Sequence, residues 1–341
     1  MFSNMVLCVL MLILSYSVTF LSLRYATIRR LVDKPNERTS HVIPTPRGGG
    51  IAIALCVFLT TVFLQLSAEK YYMALWALLG GGFLIAALGC VDDHGHVPAP
   101  IRFLLQMVAA LWMIFCVGGY ETTWIANDGI KLGILGVPCA VLATVWLINL
   151  YNFMDGIDGY AASEAIFVAL MSVFLFWHVG NGVMALLAMV LAVSSAGFLL
   201  WNWAPAKIFM GDVGSTLLGF IFACFAMVGS SMNHISPLYW MLALSVFIAD
   251  ATYTLLQRLI YGEPWYKPHR THAFQRLVQL GYSHKQVCYW MLFFNGFIVF
   301  PCILLSTYFP HYLLALVFII YGFLFFCWRW IGEQANHYLV K

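Results

Sequence analysis

The chain has 341 residues, of which 62% are apolar and only 9% are charged, whereas soluble domains carry about 25% charged residues. This composition excludes an ordinary soluble domain, which needs more charge on its surface. The net charge of +3 is too small to indicate a basic patch for nucleic acid. The nine cysteines include no Cys-x-x-Cys pair that would suggest zinc or redox chemistry. We therefore expect an integral membrane protein that binds no nucleic acid.

Apolar runs of spanning length, roughly 17 to 25 residues, follow one another along the whole chain. The first run has no basic segment before it, so we expect it to remain as a spanning helix. The sequence predicts an all-α, polytopic fold with about eleven transmembrane helices in a single domain, residues 1–341. The runs begin near Met5, Gly50, Tyr72, Phe103, Leu132, Tyr160, Val183, Val213, Pro237, Gln286 and Tyr312.

The basic residues predict how the chain is oriented. An odd number of spans puts the termini on opposite sides. If the N-terminus is outside, fifteen of the seventeen Lys and Arg residues share the other face, leaving Lys70 and Lys131 opposite. By the positive-inside rule that face is cytoplasmic. The function is then expected in the inner loops, residues 29–49, 92–102, 151–159, 201–212 and 259–285.

The first inner loop combines positive charge with glycine. Arg38, His41 and Arg47 precede the second span, which Gly48 and Gly49 introduce. Glycines at a helix entrance let backbone N–H groups approach an anion. The loop therefore suits a phosphate or a lipid headgroup, and the alternative is a basic loop that only sets the topology.

Two adjacent carboxylates, Asp92 and Asp93, follow directly on an apolar run. They repel each other unless a cation or a basic partner offsets them. Mg²⁺ typically takes one or two carboxylates together with substrate phosphates. A metal site explains the pair, and the alternative is two solvated loop carboxylates.

Asn149, Asn152, Asp155 and Asp158 recur at every third position in the third inner loop. In a helical or 3₁₀ turn, residues three apart are neighbours, so one polar stripe would follow an apolar segment. The alternative is a helix end closed by the two glycines of this loop, which leaves the four polar residues unexplained.

Two further acids stand at or inside apolar runs. Asp212 begins a span after a glycine-rich turn, where it could be a metal ligand or a simple helix cap. Asp250 lies within the ninth run, and an intramembrane acid is by default a functional-site hypothesis.

The longest inner loop contains paired histidines. With Pro268 at the first helical position, His269, His272 and Arg276 would share one face of an amphipathic helix at the membrane interface. The alternative is a basic surface helix that only binds lipid headgroups.

Together these loops resemble the bacterial polyprenyl-phosphate N-acetylhexosamine-1-phosphate transferases. The matching stretches are DKPNERTSHVIPTPRGGG, VDDHGH, NLYNFMDGIDG, NWAPAKIFMGDVGS and HRTHAFQRL. The resemblance implies Mg²⁺-dependent transfer, with Mn²⁺ as an alternative ion, from a UDP-N-acetylhexosamine donor to undecaprenyl phosphate, releasing UMP. It places the protein in the lipid bilayer of the bacterial inner membrane, with a periplasmic N-terminus and a cytoplasmic active site. A homodimer is compatible with it.

The resemblance also assigns residue roles. Catalytic roles fall on Asp92, Asp93, Asp155 and Asp158, and metal binding on Asp212 and Asp93. Substrate binding is expected from Arg38, His41, Arg47, Gly48, Gly49, Asn149, Asn152, Lys207, His269, Arg270, His272 and Arg276.

The histidine segment indicates the branch of this family. It reads His-Arg-Thr-His where the peptidoglycan enzymes have a cluster of histidines. We therefore expect an O-antigen initiator that uses N-acetylglucosamine or a 6-deoxy relative, rather than a peptidoglycan-type transferase. The rival class is a transporter or flippase, which would carry polar residues at mid-bilayer and on both faces.

The predicted topology can be tested by labelling. A cysteine introduced by Gly95→Cys should react with a membrane-impermeant thiol reagent only from the cytoplasmic side, and Asn127→Cys only from outside. The parent chain controls for its own cysteines. External labelling at position 95 would contradict the predicted orientation.

Overall fold

The protein is a helical bundle. The computed structural model describes residues 2–33, 44–67, 72–125, 128–263 and 269–339. Two short antiparallel pairs join β1 (Val32–Asp33) to β2 (Thr45–Pro46) and β3 (Thr122–Ile125) to β4 (Asp128–Lys131). The helices are α1 Phe2–Arg29, α2 Ile51–Ser67, α3 Met73–Ala77, α4 Phe83–His94, α5 Ala99–Cys116, α6 Gly136–Met154, α7 Tyr160–His178, α8 Gly182–Asn202, α9 Asp212–Asn233, α10 Leu238–Ala243, α11 Ser245–Ile260, α12 Ala273–Gln279, α13 His284–Phe294, α14 Phe300–Tyr308 and α15 Leu313–Leu339.

The prediction of an all-α polytopic membrane protein is confirmed. Nine helical segments of the described chain are long and apolar enough to cross a membrane. α2 is a shorter apolar helix of 17 residues. The predicted span near Pro237 is interrupted at Leu244, whose backbone (φ −97°, ψ 13°) separates α10 from α11. Each of the eleven predicted runs thus corresponds to helical structure, but one of them is broken.

α9 forms the centre of the bundle, and most of its residues are buried. It packs against α2, α4 and α6. A Cβ on Gly50 would lie 2.4 Å from the Cα of Gly214, and one on Gly219 would lie 2.5 Å from the carbonyl oxygen of Leu147. Small residues let helix backbones approach closely inside membranes. α9 is therefore held by direct contact between backbones.

One such contact brings α4 to the start of α9. A Cβ on Gly89 would lie 2.6 Å from the carbonyl oxygen of Asp212. Residues four apart share a helix face. Gly89 therefore turns Asp93 toward the first turn of α9.

A buried acid that sequence reasoning missed joins α7 to the α13–α14 segment. Glu164 is fully buried, and its Oε2 accepts a 2.6 Å hydrogen bond from Nδ2 of Asn295. Asn295 begins a π-helical turn, Asn295–Val299, between α13 and α14. Glu164 lies in an apolar run, and that position is the same signal by which Asp250 was selected.

We predict that this bond matters for stability through its acceptor oxygen. Glu164→Ala leaves the Asn295 amide buried without its partner, which costs about 1–3 kcal/mol, and should lower the melting temperature in detergent. Glu164→Gln keeps an acceptor of the same size and should melt close to the parent. A Gln variant as unstable as the Ala variant would contradict this account.

Candidate active site

A cavity of about 200 Å³ opens where the predicted inner loops converge. The loops that contribute to the cavity are far apart in the sequence. The first lining residue is in the β1–β2 pair and the last is at the start of α13. Its charged lining consists of Asp33, Arg47, Asp93, Asp155, Asp158, Asp212 and His284. Four of the five acids predicted to be catalytic or metal-binding converge in this cavity, which makes it the candidate active site, whereas Asp92 does not line it.

Asp93 holds the start of α9 from the neighbouring helix α4. Its carboxylate accepts the backbone N–H of Asp212 at 3.0 Å and that of Val213 at 3.2 Å. The first N–H groups of a helix have no partner within the helix, and the helix dipole favours a negative charge there. Since Asp93 supplies the cap, the side chain of Asp212 is not needed as one.

Glycine is required beside this carboxylate. Gly211 has a φ of +76°, and a Cβ there would lie 2.6 Å from Oδ2 of Asp93. Glycine adopts positive φ without the penalty that other residues pay. The residue before α9 therefore has two independent reasons to be glycine.

The second carboxylate of the pair, Asp92, faces Asp212. Asp92 pairs with Arg102 at 2.9 Å and accepts the Val97 N–H at 2.7 Å. Its carboxyl group also lies close enough to that of Asp212 for the two groups to interact electrostatically. Two carboxyl groups can meet in this way only when a proton or a cation lies between them.

Three members of the predicted polar stripe line the cavity. Asn152 accepts the Ser215 hydroxyl at 3.3 Å. Asp158 accepts the Ala206 N–H at 3.0 Å, and its carboxylate lies 3.3 Å from Nδ1 of His284. Asp155 lies between them in sequence. Burial raises its pKa to about 7, and the charges of Asp93 and Asp158 add to the shift.

Asn149 and Lys207 are among the predicted substrate-binding residues that do not line the cavity. Asn149 exchanges hydrogen bonds with Gln106 of α5, with Nδ2 donating at 2.7 Å. The ammonium group of Lys207 lies 5.0 Å from the ring centre of Trp201. The regular spacing of the polar stripe did not reveal that Asn149, its first residue, lies outside the cavity.

The glycines of the first loop play a different part from the predicted one. The N–H of Gly49 donates to the carbonyl oxygen of Phe209 at 2.9 Å, and that of Gly50 to Met210 at 2.8 Å. Gly48 has a φ of +98°. The N–H groups of Gly49 and Gly50 thus join two loops and are not directed at an anion.

Of the three charged residues predicted in that loop, Arg47 lines the cavity. Its Nη2 donates to the backbone carbonyl of Asp93 at 2.6 Å, and its Nε lies 4.0 Å from the Asp93 carboxylate. Arg38 and His41 lie outside the described residues.

The prediction of an amphipathic helix from Pro268 is wrong in its start and its environment. α12 begins at Ala273, because Asp250 accepts the N–H groups of Ala273 and Phe274. This loop contributed four of the predicted substrate-binding residues, and none of them lines the cavity: His269, Arg270, His272 and Arg276. His272 and Arg276 are buried.

The two histidines of this segment are packed against each other and against neighbouring side chains. The rings of His269 and His272 lie 4.8 Å apart. Burial lowers the pKa of His269 to about 4, and the nearby His272 and Arg258 act in the same direction. His272 also stacks on Phe153. The histidine pair lies behind the cavity wall.

Four polar residues of the lining were not predicted, namely Asp33, Asn202, Gln275 and His284. The amide of Asn202 accepts the Gly159 N–H at 3.0 Å and donates to the Ile208 carbonyl at 2.9 Å, so it joins two loops. A polar residue ending an apolar run was the available signal for Asn202. Gln275 and His284 do not end an apolar run, so this signal was absent for them.

The donor set fits a small, hard cation that keeps other ligands. Within the described residues, no group of three or more acidic, histidine or cysteine side chains could hold a metal ion. The paired carboxyls of Asp92 and Asp212 offer oxygen ligands beside the cavity. Mg²⁺ is usually bound by one or two carboxylates plus substrate phosphates and water. The site therefore fits Mg²⁺ or Mn²⁺ better than a metal that needs a complete protein cage.

Comparison with known proteins gives consistent matches. The glycosyl transferase family 4 profile matches residues 75–230. A probable undecaprenyl-phosphate N-acetylglucosaminyl 1-phosphate transferase of Bacillus subtilis is 32% identical over 74% of this chain and 71% of its own. A decaprenyl-phosphate N-acetylglucosaminephosphotransferase of Mycobacterium leprae is 32% identical over 84% and 80%. A phospho-N-acetylmuramoyl-pentapeptide-transferase of Clostridium kluyveri is 27% identical over 64% and 73%.

We predict that Gly211→Ala removes activity by displacing Asp93. The matched control is Gly180→Ala, because Gly180 has nearly the same φ (+77°) but nothing within 4 Å of its Cβ position. Each variant should lose about 1 kcal/mol of stability through the positive φ. Gly211→Ala should lose more, because its Cβ clashes with Asp93, and it alone should lose turnover. Equal activity of the two variants would mean that the position of Asp93 does not matter.

Proposed function

The chain belongs to the polyprenyl-phosphate N-acetylhexosamine-1-phosphate transferases of glycosyl transferase family 4, and from this premise we propose the reaction it performs. It transfers an N-acetylhexosamine 1-phosphate from a UDP-sugar to undecaprenyl phosphate and releases UMP. The observation that carries the proposal is the convergence of Asp93, Asp155, Asp158 and Asp212 with Arg47 in one cavity.

N-acetylglucosamine is the sugar we propose. Two relatives that are 32% identical are named for N-acetylglucosamine, and the relative named for the muramoyl pentapeptide is 27% identical. The His-Arg-Thr-His segment also departs from the peptidoglycan enzymes. As the biological role we propose the first membrane step of O-antigen or a related envelope glycan, in the bacterial inner membrane with the cavity facing the cytoplasm.

The reaction exchanges one phosphoanhydride for another, so its barrier is largely electrostatic. Asp212 and Asp92 would hold Mg²⁺, which would supply positive charge to offset the diphosphate and the departing UMP. Arg47 adds a positive charge at the cavity wall, where it can orient a phosphate. Asp93 keeps the first turn of α9, and with it Asp212, in place.

Proton transfer places few demands on this site. A phosphate monoester has a second pKa of about 6 and is largely dianionic at pH 7. Asp155, with a pKa raised by burial to about 7, can accept the proton from the remaining monoanion. Direct attack by the acceptor phosphate on the donor then needs no further base.

The test is release of UMP by purified protein given UDP-N-acetylglucosamine and undecaprenyl phosphate. Turnover should require a divalent cation. Asp212→Asn should lower kcat by at least about 100-fold, the usual cost of removing an electrostatic stabiliser, without unfolding the protein. Asp128→Asn, at an exposed hairpin residue, is the matched control.

Two outcomes would contradict the proposal at different levels. Normal turnover of Asp212→Asn at low Mg²⁺ would remove the metal role of Asp212. Absence of UMP release with every UDP-N-acetylhexosamine tested, by protein that is folded, would remove the proposed reaction.

A further inference from the structure

Asp250 is an intramembrane acid that the proposed reaction does not use. It lies in α11 and is only 5% exposed. Its carboxylate accepts the N–H of Ala273 at 2.8 Å, the N–H of Phe274 at 3.2 Å and the hydroxyl of Thr254 at 3.2 Å. The side chain of His272, at the cap position of α12, makes no capping bond. Asp250 is therefore the cap of α12, supplied from another helix.

The first turn of α12, which Asp250 caps, contacts the wall of the cavity. Phe274 is 1% exposed and stacks on Tyr160, with ring centres 5.2 Å apart. A Cβ on Gly156 would lie 2.8 Å from Cζ of Phe274, so ring and backbone are in close contact. Gly156 follows Asp155, and both line the cavity together with Gln275. The start of α12 thus forms the support of the Asp155 turn.

The surroundings of Asp250 favour a precise position. His272 Nδ1 lies 3.6 Å from its Oδ1, and both side chains are buried. Thr254, which donates to Asp250, itself accepts the Trp328 indole N–H at 3.0 Å. A buried carboxylate with this many donors has one stable orientation. It transmits that orientation to the backbone at Ala273 and Phe274.

We propose that Asp250 is a positioning residue for the candidate active site. It caps α12 from inside the bundle and so holds Phe274 and Gln275 against the turn that carries Asp155. It touches neither substrate nor the reacting atoms. The effect on turnover rests on the transferase activity proposed above, whereas the effect on the backbone does not.

The kinetic test compares Asp250→Ala with Asp250→Asn. The Ala variant should lower kcat about tenfold, since misplacing a catalytic group by about 1 Å can cost up to about 100-fold. KM for undecaprenyl phosphate should stay within about twofold. Asparagine is as good a helix cap as aspartate, so the Asn variant should recover most of kcat.

Asn181→Ala is the matched control for a loss of stability alone. Asn181 caps α8 by accepting the Met184 N–H at 3.1 Å, and it does not line the cavity. Its removal should lower the melting temperature without changing kcat. The proposal is overturned if Asp250→Ala keeps the parent kcat, if Asn181→Ala lowers kcat as much, or if Asp250→Asn gives no recovery.

Hydrogen–deuterium exchange tests the same proposal independently of any substrate. Asp250→Ala should speed amide exchange in residues 273–279 and in residues 155–159, and Asn181→Ala should change neither segment. Unchanged exchange in residues 155–159 would overturn the positioning role. If the parent protein shows no transfer from UDP-sugars, the proposed reaction fails, and the exchange result still decides the role of Asp250.

Discussion

The geometry of the candidate site depends on one interaction, the carboxylate of Asp93 bound to the first N–H groups of α9. α9 is the most buried helix, and its register is set by backbone contacts with three neighbours. Asp93 joins that rigid helix to the end of α4. Through this bond the position of Asp212 is tied to the packing of the whole bundle.

The same solution appears twice in the structure. Asp93 caps α9 from α4, and Asp250 caps α12 from α11. Where a helix end is buried, water is not available to satisfy its open N–H groups, so the protein must supply the acceptor. A carboxylate on a neighbouring helix does this and also matches the positive end of the dipole. Buried acids in this chain are therefore not all parts of a substrate path, as a transporter would require. Glu164, which accepts a hydrogen bond from the side chain of Asn295, is another buried acid with a structural partner, although it caps no helix.

Sequence patterns were sufficient for the fold class, because the bilayer leaves few structures other than spanning helices to long apolar runs. The assignment of the acids at the ends of these runs to one site came from the family resemblance. Patterns failed where a residue's partner is distant in sequence. Asn149 pairs with Gln106, 43 residues away, and α12 begins where Asp250, 23 residues earlier, caps it. Local spacing contains no information about such partners. The glycines after Arg47 were correctly marked as special, but their partners, Phe209 and Met210, were equally distant.

The glycine contacts of α9 have a consequence for motion. Where Gly50 meets Gly214 and Gly89 meets the first turn of α9, backbone lies against backbone, and these contacts cannot absorb a shift by a change of rotamer. Closely packed interiors accommodate a displacement by switching between discrete arrangements and not by gradual deformation. The α2–α4–α9 core is therefore expected to stay fixed throughout a catalytic cycle. Any opening for a bulky lipid and a nucleotide sugar is therefore expected outside that core.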